Sequence, residues 1–487
     1  MSDLVLKSLN EVYIRFECER GLAQELSEYF TFFVPGYQFT PQYKSRVWDG
    51  KVRLVNLQSF TIYRGLLPYI QKFTAERSYT LDIDDNLNVT DEFSLKEASE
   101  FIDTLKLPFE ARDYQIKSFI HAIRNRRMLL LSPTASGKSL IIYLIIRYFQ
   151  EIGLKRGLLI VPNISLVAQM CKDFESYGYD SLENCHAIHQ GRDKQAKKFL
   201  FISTWQSIYT QPKEYFEQFD FVIGDEAHSF KAKSLATIMT GCINSKYRIG
   251  CTGTLDGTQT HRLVLEGLFG PVYQSTSTSE LIEKKQLADF KIKCLILKYP
   301  ELICKESKKW DYQTEIDYIV SNSRRNDFIK NLVLSLEGNT LILFQLVERH
   351  GKKLFELIQE HAKNRHVFFV FGGSDIEARE SVRAITEKES NAIIVASYGV
   401  YSTGVNIRNL HNVIFASPSK SRIRNLQSIG RVLRLGENKQ EATLFDIVDD
   451  FRSGKHANYT LKHFLERVKI YDSEKFNYKF YNIEIKP

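Results

Sequence analysis

No stretch of the chain reaches the roughly 18 consecutive apolar residues that a membrane-crossing helix needs, so no bilayer span is expected. The opening residues Met1-Ser2-Asp3-Leu4 lack a basic segment, an apolar run and a small-residue cleavage site, so no secretory signal is expected either. The seven cysteines, Cys18, Cys171, Cys185, Cys242, Cys251, Cys294 and Cys304, are scattered, odd in number and never spaced Cys-x-x-Cys. That pattern argues against a disulfide framework or a zinc site and fits free thiols in a reducing cytoplasm. Internal repeats and low-complexity tracts are absent. So is a strong charge of either sign: 66 basic residues against 58 acidic ones leave a formal net charge of +8. This balance permits a polyanionic partner without requiring one.

What the chain does have is length and an ordinary globular composition. Its 487 residues leave room for several domains, and 43% hydrophobic with 25% charged residues can bury real cores. The charge is unevenly spread. From Phe415 onward the chain is net basic, and Met1 to Leu107 is net acidic. Within that acidic part, Tyr37 to Arg53 holds Lys44, Arg46, Lys51 and Arg53 against Asp49 alone.

Residues 1–107 read as a small α+β unit. Glu11 to Phe16 alternates like a half-buried strand, and Leu22, Leu26, Tyr29 and Phe30 follow at helical spacing. Tyr43 to Val55 alternates again around Asp49-Gly50, which predicts a hairpin. The polar stretch Asp82 to Asp91 reads as a boundary. Beyond it, short and fully apolar runs alternate with helical patterns: Met128–Leu131, Gly157–Val161, Phe199–Ile202 and Phe221–Ile223. The rhythm recurs at Thr340–Phe344, His366–Phe371, Ala392–Ala396 and Val413–Ala416. Continuous apolar strands between helices predict parallel sheets covered on both faces. We expect one α/β lobe over 108–285, a second over 286–450, and a basic, aromatic extension over 451–487.

Two motifs carry chemistry. The apolar run ending at Leu131 passes into Ser132-Pro133-Thr134-Ala135-Ser136-Gly137-Lys138-Ser139 and then into a helical stretch from Leu140. Strand, loop and helix in that order form a phosphate cradle, because loop N–H groups and a helix N-terminus both favour negative charge. Lys138 would neutralise the β- and γ-phosphates, and Ser139 would offer its hydroxyl to Mg²⁺. Ser132 departs from the strict pattern, which has glycine at that place. The second motif is Asp225-Glu226-Ala227-His228, at the end of an apolar run. Ligands bind at the carboxyl ends of parallel strands, so both acids fall at the functional edge. Asp225 would hold the metal and Glu226 would orient and deprotonate a water. His228 is a candidate sensor of the γ-phosphate.

With these motifs the chain resembles superfamily 2 helicases over roughly residues 109–450, and further motifs appear in family order. Arg112-Asp113-Tyr114-Gln115 resembles the adenine-reading motif, with Gln115 offering a paired donor and acceptor. Pro162 falls in a strand-binding motif running to Gln169, and Thr204 in the phosphate-contacting one. Thr252 and Thr254 stand where the family couples hydrolysis to motion. In the second lobe, Ser397 fits a later strand-binding motif. Gly404 joins the nucleotide-binding set, while Asn406 replaces the family's usual Asp. The last motif runs from Gln427 to Arg434. Arg431 and Arg434, three apart on an expected helix, stand as arginine fingers for the γ-phosphate.

More narrowly, the chain resembles UvsW-type phage recombination helicases through its Trp48-Asp49-Gly50-Lys51 turn, its Asp-Glu-Ala-His box and Glu474-Lys475-Phe476-Asn477-Tyr478. The resemblance implies two tandem RecA-like lobes with a small N-terminal α+β domain and a C-terminal extension. It implies an ATP- and Mg²⁺-dependent motor the size of a monomer, working in a host cytoplasm. Its substrates would be branched or forked DNA and RNA–DNA hybrids. Lys44, Arg46, Lys51 and Arg53 would contact phosphates while Trp48 stacks on unpaired bases; alternatively, Trp48 packs inward and the charges are solvated. In the tail, Lys462, Arg467, Lys469, Lys475 and Lys479 interleave with Tyr471, Phe476, Tyr478 and Phe480, a pattern that suits packing more than DNA contact. The motifs leave open a duplex translocase, an RNA helicase, or an ATP-gated clamp that displaces no strand.

Overall fold

A computed structural model describes residues 2–188, 196–230, 233–403, 407, 409–417, 419, 421–436, 439–454 and 456–485. The chain divides into two compact units: Met1–Ser132 with Gly137–Thr276, and Ser277–Pro487 together with loop residues Pro133–Ser136.

The first unit begins with a five-stranded sheet in the order Val55–Asn56, Thr61–Tyr63, Tyr13–Cys18, Leu4–Ser8, Leu81–Ile83. All its pairings are antiparallel except the last. Helices Arg20–Tyr29 and Leu67–Glu76 supply Leu26, Ile70 and Phe73 to a core with Leu6, Ile14 and Phe16. The Asp82–Asp91 stretch opens in the strand that pairs with Leu4–Leu6 and lies where the core changes: Leu87 belongs to the N-terminal core, Phe93 to that of the large sheet. One expectation needs correction: Asp49-Gly50 does not turn a hairpin. Pro41–Lys44 is a helix, capped by the Thr40 side chain and opened by proline, so the segment before the turn is not a strand. The Lys51–Arg53 strand pairs instead with Thr31–Phe33. Gly50 has φ +80°, and a Cβ there would meet the Tyr37 ring at 2.3 Å.

The rest of this unit is a seven-stranded sheet in the order Cys185–Ile188, Leu200–Thr204, Gly157–Val161, Phe221–Asp225, Tyr247–Thr252, Arg127–Leu131, Val272–Gln274. Every pairing is parallel. The five inner strands are buried almost throughout, which explains their unbroken apolar runs. The second unit holds another seven-stranded parallel sheet: Val367–Val370, Ile393–Ser397, Thr340–Phe344, Asn412–Phe415, Glu441–Asp450, Asp289–Lys298, Asn477–Glu484. The C-terminal residues are part of it. Asn477–Glu484 is its edge strand, and Arg467 and Tyr471 of the Tyr459–Ser473 helix are buried beneath. Of the tail's aromatics, Tyr471 and Phe476 pack as expected, whereas Phe480 is exposed. Among the described residues no helix is long and apolar enough to cross a membrane.

Candidate active site

Strand register brings the motif residues of the first unit to one sheet edge. Thr204 pairs with Val161, Asp225 with Cys251, and Thr252 with Leu131. The chain therefore leaves each strand on the same side, at Pro162, Thr204, Asp225-Glu226, Thr252 and Ser132.

The phosphate loop is anchored at both ends. Ser132 N donates to Thr252 O at 2.9 Å, and Ser275 Oγ donates to Ser132 Oγ at 2.9 Å. Ser132 is not among the positive-φ positions, so serine fits where the family has glycine; the left-handed positions are Ala135 (φ +68°) and Gly137 (φ +79°). Gly137 is needed for a second reason, because a Cβ there would lie 2.4 Å from Gln115 Nε2. Gln115 is buried and accepts from Arg112 N at 2.9 Å, so it braces the loop from the Asp113–Asn125 helix. Arg112 Nη1 donates to Tyr114 Oη at 3.0 Å. Lys138 opens the Lys138–Glu151 helix and donates to Ser132 O at 3.3 Å, folded back over the loop. Pro133, Thr134 and Ser136 complete the turn, in which Ser136 N donates to Pro133 O at 3.2 Å. Ser139 Oγ lies 2.9 Å from the Tyr177 hydroxyl, a partner no motif announces.

The acidic pair is built for strain and charge. Asp225 is buried, and its Oδ1 has no hydrogen-bond partner among the described residues. Burial, and then the adjoining Glu226 carboxylate, push the Asp225 carboxyl up to about 7, against the pull of Lys138. Glu226 holds φ +49°, a left-handed conformation that costs a non-glycine residue energy and is found at functional sites. His228 Nδ1 lies 3.0 Å from Thr252 Oγ1 and 3.3 Å from Glu226 Oε2. Thr252 Oγ1 donates its own proton to Thr254 O at 3.0 Å, so His228 Nδ1 is the donor in the His–Thr bond. The acidic box and the Thr252–Thr254 motif are thus joined by one direct hydrogen bond.

His261, absent from every motif, sits behind His228. Its Nε2 donates to His228 O at 2.8 Å, and its Nδ1 lies 2.9 Å from Asp256 Oδ1.

Of the strand-binding candidates, Pro162 is half-buried, Thr204 is buried with its hydroxyl 2.9 Å from Ser207 Oγ, and Ser397 ends its strand buried. In the second unit, Gln427 and Arg431 lie on the Arg422–Val432 helix. The helix stops at Val432, so Arg434 lies in the turn beyond it, not one turn along the same face. Buried Lys439 ends the helix there by donating to Val432 O and, at 2.9 Å, to Arg434 O. Burial lowers the Lys439 ammonium to about 7. Gly404 and Asn406 lie outside the described residues.

On the N-terminal domain, Lys44 and Arg46 are exposed beside Phe39 (79% exposed) and Val47 (81% exposed). Arg53 is paired with Asp49, and Lys51 Nζ sits 4.9 Å from the centroid of the Phe33 ring. Trp48 is half-buried, and its Nε1 donates to Lys51 O at 2.9 Å.

Two parallel seven-stranded sheets, one carrying a phosphate loop and a strand-end Asp-Glu-Ala-His box, define the core of a superfamily 2 helicase. Family models agree: "Type III restriction enzyme, res subunit" matches residues 108–257, "Helicase conserved C-terminal domain" matches 324–436, and "DNA helicase UvsW, N-terminal" matches 3–84. The chain is 35% identical to the ATP-dependent DNA helicase UvsW of Enterobacteria phage T4 over 488 residues, covering 96% of each chain. The crystal structure of T4 UvsW superposes with a TM-score of 0.53 at 33% identity, covering 99% of this chain and 100% of that one. A more distant relative, the DNA 3'-5' translocase XPB2 of Sulfurisphaera tokodaii, is 25% identical over 71% of this chain and 84% of its own. Yeast Dbp5 bound to RNA, 12% identical with a TM-score of 0.55, shares the fold. The chain belongs to the UvsW family of ATP-dependent DNA helicases.

Proposed function

We propose that this helicase remodels branched DNA, regressing forks, migrating four-way junctions and displacing RNA from RNA–DNA hybrids. The observation that carries the reading is the meeting of the phosphate loop, buried Asp225 and the His228–Thr252 bond at one sheet edge. It stands on a chain that aligns end to end with an ATP-dependent DNA helicase.

In this reading the loop from Ser132 to Ser139 cradles the triphosphate, Lys138 neutralises its charge, and Arg112 and Gln115 flank the base. The unpartnered Asp225 Oδ1 and the Ser139 hydroxyl are suited to hold Mg²⁺, which when bound neutralises charge on the β- and γ-phosphates. Glu226 orients and deprotonates the attacking water. Arg431 and Arg434 would stabilise transition-state charge. Pro162, Thr204 and Ser397 would belong to the DNA-binding set, and Gly404 to the nucleotide set. The exposed Lys44, Arg46 and Phe39 patch supports a DNA-reading role for the N-terminal domain, with Lys51, Arg53 and Trp48 beside it. The working unit is a monomer in the cytoplasm.

Strand displacement on four matched substrates tests this: a four-way junction, a fork, a tailed duplex and an R-loop, each with ATP or a non-hydrolysable analogue. ATP-dependent processing of junction, fork and R-loop, with little on the tailed duplex, is the expected result, and Lys138→Ala should abolish it. DNA-stimulated hydrolysis without displacement on any substrate overturns branch remodelling in favour of a translocase or clamp.

A further inference from the structure

We infer that the Gln259–Phe269 helix ties the N-terminal domain to the acidic box, with His261 a positioning residue for His228. The inference rests on the helicase reading and adds a route by which a domain touching DNA reaches the hydrolytic site.

One end of the helix is locked into the N-terminal domain. Tyr69 Oη donates to Glu266 Oε2 at 2.5 Å, and Glu266 is 1% exposed. Gly65 lies so close that a Cβ on it would meet Glu266 O at 2.0 Å, and a Cβ on Gly267 would meet the Tyr63 ring at 2.9 Å. Leu263 completes the N-terminal domain's own apolar core. Glu266 also accepts from Val272 N at 3.0 Å, which fastens the helix to the edge of the large sheet. Backbone contact, a buried carboxylate and shared core leave this joint little freedom to slide.

The other end meets the site. Thr258 caps the helix, with Asp256 Oδ1 accepting from Thr258 N at 2.9 Å and from Thr258 Oγ1 at 2.8 Å. One turn on, His261 faces oxygen on both ring nitrogens: Asp256 Oδ1 on one side and the His228 carbonyl on the other. The His228 ring in turn holds Thr252. His261 and Glu266 are five residues apart, about 7.5 Å of helix at 1.5 Å per residue. The helix therefore fixes where the His228 backbone lies relative to the N-terminal domain through a short, stiff element. His261 lies outside the motifs read from the sequence, and its Nε2 reaches the His228 carbonyl while Asp256 Oδ1 stands 2.9 Å from Nδ1.

A double-mutant cycle on the full chain with forked DNA tests this coupling. His261→Ala should lower DNA-stimulated kcat about tenfold with the KM for ATP within about twofold, and His261→Gln, which keeps a donor at similar reach, should restore most of it. Tyr69→Phe, which removes one hydroxyl, should lower kcat about threefold. The double variant should be no slower than His261→Ala. Multiplicative losses in the double variant, or unchanged kcat in His261→Ala, overturn the inference. Should His261→Ala fail to fold, Tyr69→Phe and His261→Gln decide it: an unchanged kcat in Tyr69→Phe overturns it, and a lowered kcat at unchanged KM that is not compounded by His261→Gln supports it. A wild type that DNA does not stimulate overturns the helicase reading itself and this role with it.

Discussion

Gly137 shows how much of the nucleotide site is decided by single residues. Its φ of +79° and the 2.4 Å approach of Gln115 Nε2 to any Cβ exclude every side chain. Gly137→Ala should raise the KM for ATP at least tenfold and lower the melting temperature by a few degrees, because the new Cβ strains a buried to half-buried loop held against buried Gln115; steady-state kinetics and a thermal melt check both. Asp225 carries the opposite balance. Its carboxyl is raised by burial and by Glu226, so the charged form is disfavoured in the folded protein. An unfolded aspartate ionises near pH 4, at about 3.9. As pH rises from there through about 7, the folded state loses stability relative to the unfolded one. Asp225→Asn removes that loss. In nucleotide-free protein with EDTA, the variant should melt a few degrees above the wild type at pH 8, with the gap shrinking toward pH 5, while hydrolysis is lost. Loop and box were both legible in the sequence because spacing and chemistry fix them together. His261, Tyr177 and Lys439 were not. A lone polar residue beside apolar ones looks like any satisfied core residue until its partners, which lie far off in the chain, are known.

Among elements, the same logic separates inner strands from edges. Most inner strands are apolar on both faces and stood out as continuous runs; Tyr247–Thr252, which carries buried Arg248, and Asp289–Lys298 and Glu441–Asp450, which mix charged residues into their runs, did not. Of the edge strands, Cys185–Ile188, Val272–Gln274 and Asn477–Glu484 are partly exposed and carry mixed residues with no clear run, whereas Val367–Val370 is wholly apolar and was legible. The C-terminal strand and helix are the sharpest case. Lys462, Lys469, Lys475 and Lys479 are exposed, yet Arg467 is buried and grips Asp446 through Nε at 2.9 Å and Nη2 at 2.8 Å. Tyr471 Oη donates to the same carboxylate at 2.9 Å. Composition alone grouped Arg467 with its solvated neighbours. Removing one member of a buried pair strands the other charge, at a cost of about 3–5 kcal/mol. Arg467→Ala should therefore lower the urea midpoint of the second unit sharply, and Lys469→Ala, whose partner Glu466 is exposed, should barely move it.

On the scale of the whole molecule, a net charge of +8 says little, and its placement says more. The N-terminal domain is acidic overall, yet its Tyr37–Arg53 segment gathers four basic residues and exposes Phe39 and Val47. These four are not equivalent. Arg53 is already paired with Asp49, and Lys51 leans over Phe33, whereas Lys44 and Arg46 stand exposed. Each phosphate neutralised on duplex DNA contributes about 0.9 to the slope of log affinity against log salt. Lys44→Glu with Arg46→Glu should therefore weaken binding to a fork and reduce that slope by roughly 1–2, while Arg53→Glu alone should change it by much less. Salt titrations of fork binding, run without nucleotide, separate the two. If Lys44 and Arg46 were only a solvated face, their reversal would shift affinity through general repulsion and leave the number of released counterions, and hence the slope, where it was. The slope thus distinguishes contact from background charge, which affinity measured at a single salt concentration cannot do.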